Sequence, residues 1–305
     1  MKINLFQSLE KHGYSAGVIS IKHLDSVKEN IESNHRKGLF DEEFYQERLI
    51  GFTFNPPKSL VETRSVIVIA VRQPQIRLIF TWKGKRIPVI VPPTYLHWQD
   101  TDKQAEKTLQ ETLEAEGYRV VKAFLPNKPL AVYSGLARYG RNNITYVSGM
   151  GSFHRLVAFY SDLPWDGNWQ ELRMMERCQN CQVCVLYCPS SAISTERFLL
   201  RAERCIVFQN EKPGNIPFPR WLESSWHNCL VGCMHCQRVC PENRDFLEWI
   251  EDGMEFSSEE TMFLLSGTPL YKFSVETIKK LEKSDLLDLI DLFPRNLQAL
   301  LEGIK

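Results

Sequence analysis

The sequence predicts an α/β (α+β) protein in which a front domain is followed by a cysteine-rich part and a short helical tail. Three observations support this prediction. Helical patterns alternate with apolar runs in the front part, the composition changes abruptly at LPWDGNWQ, and all nine cysteines lie between Cys178 and Cys240. We therefore expect an α/β domain over residues 1–165, a cysteine-rich domain over 166–250 and a helical tail over 251–305.

The elements of the front domain follow from the periodicity of its apolar residues. Positions three and four apart predict helices over 4–11 and 24–33, and composition predicts another over 99–116. Strands are predicted from apolar, β-branched runs at SVIVIAV (65–71), RIPVIVPP (86–93), YRVVKAFL (118–125) and FHRLVAFYSDLPW (153–165). In the tail, Leu281, Leu286, Leu287, Ile290 and Leu292 lie near helical spacing and predict packing helices.

Composition limits the classes of function. Lys+Arg and Asp+Glu balance at 37 each, so no global basic field argues for nucleic acid as a partner. The first residues carry neither a secretory nor a twin-arginine signal, and the apolar runs are shorter than the ~20 residues of a membrane helix. We expect a cytoplasmic protein, in which clustered cysteines act as thiols or metal ligands.

The cysteine spacing points to iron–sulfur chemistry. The run CQNCQVCVLYCP (178–189) matches the bacterial ferredoxin pattern, in which three thiolates bind one [4Fe–4S] cluster and the fourth binds another. A second run, Cys233-x2-Cys236-x3-Cys240-Pro241, supplies the complement. The resulting ligand sets are Cys178, Cys181, Cys184 and Cys240 for the first cluster, and Cys188, Cys233 and Cys236 for the second.

The second cluster needs one more thiolate, and two cysteines compete for this place. Cys229 lies four positions before Cys233, and Cys205 lies in RAERCIVF (201–208). Zinc is the alternative metal, since CxxC pairs are common in zinc sites. A CxxCxxCxxxCP run beside a second, similar run favours two [4Fe–4S] clusters over zinc.

Four segments resemble the epoxyqueuosine reductases: PPKSLVETRSVIVIAV (56–71), PLAVYSGLARYGRNN (129–143), RAERCIVF, and NIPFPRWLESSWHNCLVGCMHCQRVCP (215–241). That family is related to the reductive dehalogenases. The resemblance implies a flavin-reductase- or nitroreductase-like domain that binds cobalamin, followed by a ferredoxin-like domain with two [4Fe–4S] clusters. It also implies that Cys205, in the position of the family's Ala-Arg-Arg-Cys cysteine, completes the second cluster.

The resemblance places a cofactor loop in the front domain. It implies that cobalamin lies at residues 135–143, between this loop and the strand 153–160, with the ring approached closely by glycine backbone. The implied cofactor-binding residues are Gly135, Ala137, Gly140, Arg141 and Asn142. The catalytic candidates are Arg138, expected above the cobalt, and the proton donors Tyr133 and Tyr139.

The sequence also departs from the family pattern. VVKAFLPNK (120–128) has no carboxylate where the family has its proton-donating aspartate, and Arg138 replaces a tryptophan. We therefore expect a cobalamin-dependent iron–sulfur reductase that acts on a small molecule rather than on the usual tRNA nucleoside. The alternative is an electron-transfer protein that reduces a partner's corrinoid or flavin. In either case the expected electron source is a low-potential donor such as ferredoxin or flavodoxin.

Overall fold

The computed structural model describes residues 5–167 and 169–303. The helices are α1 (Leu5–Glu10), α2 (Leu24–Arg36), α3 (Glu42–Arg48), α4 (Trp98–Glu114), α5 (Asn127–Tyr133), α6 (Val183–Leu186), α7 (Ile206–Asn210), α8 (His235–Arg238), α9 (Ser258–Leu265), α10 (Val275–Lys283) and α11 (Phe293–Gly303). The strands are β1 (Tyr14–Ser20), β2 (Ser65–Arg72), β3 (Gln75–Trp82), β4 (Lys85–Val91), β5 (Val120–Lys122), β6 (Ala137–Tyr139), β7 (Thr145–Val147), β8 (His154–Ser161) and β9 (Ile250–Phe256).

The chain forms two compact units that are not continuous in sequence. The first unit comprises residues 1–72, 100–182 and 195–201, and the second comprises 73–99, 183–194 and 202–305. This grouping differs from the predicted boundaries at 165 and 250. The reason is that β3 pairs in parallel with β9, which places residues 73–99 with the C-terminal part of the chain.

The first unit is built on an antiparallel sheet with the order β1-β2-β8-β5. Residues Val66–Ala70 of β2 are fully buried, because one face packs against α2 and α5 and the other against α1 and α4. The predicted strand over 65–71 and the helix over 99–116 are confirmed as β2 and α4. β1 was not predicted, because YSAGVIS lacks a long apolar run.

A short hairpin, β6–β7, follows α5 in the same unit and contains the predicted cofactor loop. Ala137 pairs with Val147, and Tyr139 pairs with Thr145. The side chains of Ala137 and Tyr139 face the buried core, whereas Arg138 between them is exposed, as the alternation of a strand requires.

The second unit contains the three-stranded sheet β4-β3-β9. Leu78 and Phe80 of β3 pack in a core with Phe256 and with Phe293 and Leu297 of α11. The predicted tail helices are confirmed, and Leu281, Leu286 and Leu292 are among the buried residues of this core. Over residues 5–167 and 169–303, no helix has the length and apolar character needed to cross a membrane.

Candidate metal centre

Cysteines from three separate segments of the second unit converge. Cys188 follows α6, Cys205 precedes α7, and Cys233 and Cys236 lie at α8. Burial, with a smaller contribution from the neighbouring Cys188, raises the pKa of Cys205 to about 11. Burial also raises the pKa of Cys233 well above its ordinary value, and Cys236, Cys229 and Cys205 all contribute to that increase. α6 also packs against α8, so the predicted ligands of the second cluster lie in one region of the second unit.

Backbone N–H groups also face these sulfur atoms. The amides of Val207 and Phe208, at the start of α7, hydrogen-bond to Cys205 and favour its thiolate. The amide of His235, at the start of α8, does the same for Cys233. A thiolate ligand surrounded by N–H donors suits an iron–sulfur cluster, because such donors stabilise the negative charge on sulfur.

The two competing cysteines differ in their surroundings. Cys205 lies beside both Cys188 and Cys233. Cys229 is almost completely buried, and burial raises its pKa to about 12. It contributes to the raised pKa of Cys233. Cys205 thus lies among cysteines of both runs, which supports its choice as the fourth ligand.

The chemistry of these residues fits an iron–sulfur cluster. The four thiolates of a [4Fe–4S] cluster bind four different irons, so they stand farther apart than the ligands around zinc. Cys188, Cys205, Cys233 and Cys236 are four such thiols, and N–H donors face two of them. Within the described part of the chain, no group of three or more His, Cys, Asp or Glu side chains is close enough to hold a single metal ion.

The loop before α8 is held in place by two asparagines. Asn210 Nδ2 donates to Gly232 O at 2.8 Å, and the N–H of Met234 donates to Asn228 Oδ1 at 3.2 Å. Gly232 has a φ of +71°, and a Cβ there would lie 2.7 Å from Cε2 of Tyr95. Glycine is needed at this position because both the conformation and the close ring exclude a side chain.

Tyr95 and Glu211 form a partly buried hydrogen bond in the same region, with the Tyr95 hydroxyl as donor. Burial and the adjacent Glu211 raise the pKa of Tyr95 well above its ordinary value, and Cys205 and Cys229 add to the effect. The sequence analysis did not identify this pair. No local pattern could have revealed it, since 116 residues separate the partners.

The first cysteine run is fixed by an arginine of the first unit. Arg141 donates through Nη2 to Cys178 O at 2.6 Å and to Gln179 O at 3.3 Å, and through Nε to Cys181 O at 3.3 Å. Arg141 was predicted to bind corrin amides. In the structure its guanidinium instead binds the backbone of the loop that carries two predicted cluster ligands.

The other residues of the predicted cofactor loop also make contacts within the protein. Asn142 is buried, its Nδ2 donates to the Tyr146 hydroxyl at 3.0 Å, and its Oδ1 accepts from the N–H of Ile144. A Cβ at Gly140 would lie 2.5 Å from Asn142 Oδ1 and 2.6 Å from Tyr146 Cε2. The protein itself therefore fills the space at Gly140 that was predicted for the corrin.

Gly135 is the open position of that loop. Its φ is +78°, and a Cβ there would meet only Gln170 Cγ at 3.4 Å. Ala137 is buried in the core of the first unit. Of the five predicted cofactor-binding residues, Arg141, Asn142, Ala137 and Gly140 face protein atoms and Gly135 is open, and their binding to a corrin stays a prediction.

The three catalytic candidates are not assembled into one group. Tyr133 stacks on Trp169 with ring centroids 3.8 Å apart, and Tyr139 packs edge-on against Phe198. Burial raises the pKa of both tyrosines, and Tyr133 raises that of Tyr139 further, so both remain neutral phenols. Arg138 lies on the opposite, exposed face of β6. Arg138 and Tyr139 therefore lie on opposite faces of β6, and the catalytic roles of all three residues stay a prediction.

Comparisons with known proteins agree with this site. Residues 177–243 match a family described as a 4Fe-4S double cluster binding domain. The chain is 26% identical to epoxyqueuosine reductase of Staphylococcus aureus over 79% of its length and 65% of that protein. It is 29% identical to epoxyqueuosine reductase of Francisella cf. novicida over 49% of its length and 43% of that protein. The chain thus spans less than two thirds of these relatives.

Solved structures share the fold. Epoxyqueuosine reductase from Streptococcus thermophilus matches with a TM-score of 0.70 at 17% identity, covering 100% of this chain and 81% of that one. An epoxyqueuosine reductase with a modified tRNA-Tyr stem loop matches with a TM-score of 0.69 at 19% identity, covering 98% of this chain and 80% of that one. The resemblance to the epoxyqueuosine reductases seen in the sequence is confirmed.

Proposed function

We propose that this chain is an iron–sulfur reductase that binds two [4Fe–4S] clusters through eight of its nine cysteines. The observation that carries the proposal is the convergence of Cys188, Cys205, Cys233 and Cys236 from three segments of the second unit. The two-run spacing and the match over residues 177–243 support it. The eight proposed ligands are Cys178, Cys181, Cys184, Cys188, Cys205, Cys233, Cys236 and Cys240.

When bound, the clusters would supply one-electron transfer at low potential. The chain's own residues hold their loops. Arg141 fixes the backbone of residues 178–181, while Asn210 and Asn228 fix residues 232–234. A low-potential carrier such as ferredoxin or flavodoxin is the proposed electron donor.

Cobalamin is the proposed cofactor of the front domain, and the family resemblance is its support. The contacts of Arg141 and Asn142 assign neither residue to a corrin. Among the predicted residues, Arg138 is exposed and Gly135 is open, and these two remain candidates for contact with it. Hydroxocobalamin added to anaerobically purified protein tests the proposal. We expect a change in the cobalamin spectrum, and tight flavin binding without cobalamin uptake would overturn it.

Two classes of substrate are candidates for this reductase. The absence of a global basic field favours a small molecule, whereas the missing aspartate favours the electron-transfer alternative. The solved relative with a tRNA stem loop makes an RNA substrate the second candidate, because a net charge of zero does not exclude a local binding surface. A turnover assay with an epoxyqueuosine-containing stem loop distinguishes them, and conversion would support the RNA substrate. A protein that binds cobalamin but converts no substrate would support the electron-transfer function instead.

The cluster proposal is tested by metal analysis of anaerobically reconstituted protein. We expect about eight irons and about eight sulfides per chain, with a brown chromophore that bleaches on reduction. Stoichiometric zinc in a colourless protein would contradict the proposal.

A further inference from the structure

Asn228 has one side-chain atom with a partner and one without. Its Oδ1 accepts the N–H of Met234, the residue after Cys233, at 3.2 Å. Its Nδ2 is buried and has no hydrogen-bond partner among residues 5–167 and 169–303. The bond from Met234 fixes the orientation of the amide, because only the oxygen can accept from an N–H group.

A buried N–H group without an acceptor is costly. Leaving such a donor unsatisfied costs about 1–3 kcal/mol, and most buried polar groups in native proteins have partners. An acceptor that belongs to the working protein is therefore expected at Asn228 Nδ2.

Other asparagines of the region do not share this feature. The Nδ2 of Asn210 donates to Gly232 O, and that of Asn243 donates to Gln237 O at 2.9 Å. Asn210 has an unpartnered atom too, but it is Oδ1, which cannot donate. Asn228 is thus the one of these three whose unpartnered atom is a donor.

We propose that Asn228 Nδ2 donates a hydrogen bond to a sulfur atom of the second cluster. This inference rests on the proposed function, since the acceptor is a sulfide or thiolate of that cluster. The atom lies in the loop that leads into Cys233 and Cys236, and it is a donor, as a negatively charged sulfur requires.

The consequence of this bond is a higher reduction potential. Reduction adds negative charge to the cluster, and an N–H group aimed at sulfur stabilises the reduced form more than the oxidised form. Asn228 would therefore adjust how readily the second cluster accepts an electron, without being one of its ligands.

The experiment compares wild-type protein with Asn228→Ala after anaerobic reconstitution. Potentiometric titration followed by EPR measures the reduction potentials, and resonance Raman spectra in H₂O and D₂O detect N–H···S bonds through shifts of the Fe–S stretches. We expect one of the two reduction steps to move to a more negative potential in the variant, the other to stay, and part of the D₂O-induced shift to disappear.

Asn228→Asp is a second variant for the case in which Asn228→Ala does not assemble its clusters. Aspartate keeps an oxygen for the N–H of Met234 but removes the donor, and Asn243→Asp adds the same charge where the amide already has a partner. Loss of the D₂O-induced shift in Asn228→Asp, but not in Asn243→Asp, supports the proposal. An unchanged D₂O-induced shift in the Asn228 variants overturns it.

The same measurements separate this inference from the proposed function. Wild-type protein with fewer than two clusters would contradict the function itself. Two intact clusters whose potentials and D₂O sensitivity do not depend on Asn228 would contradict the hydrogen bond alone.

Discussion

The loop around Cys233 and Cys236 differs sharply from the loop over residues 135–143, although both were predicted as cofactor sites. In the first, partly buried thiols from separate segments are neighbours, and backbone amides face them. In the second, the polar side chains of Arg141 and Asn142 bind protein atoms. The difference teaches that cysteine spacing predicts which thiols lie in one region, whereas a loop motif does not determine where its side chains point.

The largest effect is expected from Cys205→Ser. Loss of one ligand of the second cluster removes or converts that cluster, so we expect iron to fall from about eight per chain to about four if the cluster is lost, or to about seven if it becomes [3Fe–4S]. Cys229→Ser is the matched control, because it also removes a buried thiol near Cys233. Iron analysis and EPR measure both variants. Loss of iron in Cys229→Ser with retention in Cys205→Ser would reverse the assignment of the two cysteines.

Arg141→Ala tests the role that the structure gives to this arginine. Loss of the bonds to the carbonyls of Cys178, Gln179 and Cys181 is expected to destabilise the protein by about 2 kcal/mol and to make one cluster more sensitive to chelators. Thermal unfolding and the rate of iron release to a chelator measure these effects. Arg138→Ala, a neighbouring exposed arginine, is the control. Equal behaviour of the two variants would show that the carbonyl contacts are unimportant.

Gly140→Ala tests whether a glycine is needed at this position for packing within the protein or for close approach of a cofactor. The added methyl group would meet Asn142 and Tyr146, so we expect a loss of about 1–3 kcal/mol of stability in protein that contains no cobalamin. Gly135→Ala is compared with it, since its Cβ would meet only Gln170 and its cost comes from the positive φ. Denaturant unfolding measures both. A Gly140→Ala variant that is stable but no longer binds cobalamin would restore the original interpretation of the loop.

Arg138→Ala is expected to have the smallest effect on stability. The side chain is exposed, and substitutions at such positions usually change stability by less than about 0.5 kcal/mol. If the front domain binds cobalamin catalytically, the variant is expected to keep cobalamin binding and to lose turnover. Wild-type turnover in the variant would remove Arg138 from the catalytic candidates.

The sequence predicted those features that depend on local patterns. The strand β2 and the helix α4 were predicted from apolar runs and helical composition, and the cluster ligands from cysteine spacing. β9 was not predicted, because IEDGMEF has few apolar residues and gains its place by pairing with β3. The contacts of Arg141 could not be predicted either, because they join residues about 40 positions apart.

The limited reach of local patterns also explains why Arg138 and Tyr139 were both chosen as catalytic candidates. Tyr139 and Arg138 are adjacent in sequence, but in a strand adjacent side chains point to opposite faces. Recognising β6 as a strand was the missing step, and three residues are too few for periodicity to reveal it.

The parallel pairing of β3 with β9 has a consequence for biosynthesis. During translation β3 leaves the ribosome long before β9, so its sheet cannot be completed until residues 250–256 have been made. All nine cysteines lie between these two strands and therefore emerge while that sheet is still incomplete. Iron and sulfide can accordingly reach the thiols before the sheet closes, and a nascent chain that waits at this stage exposes them to oxygen.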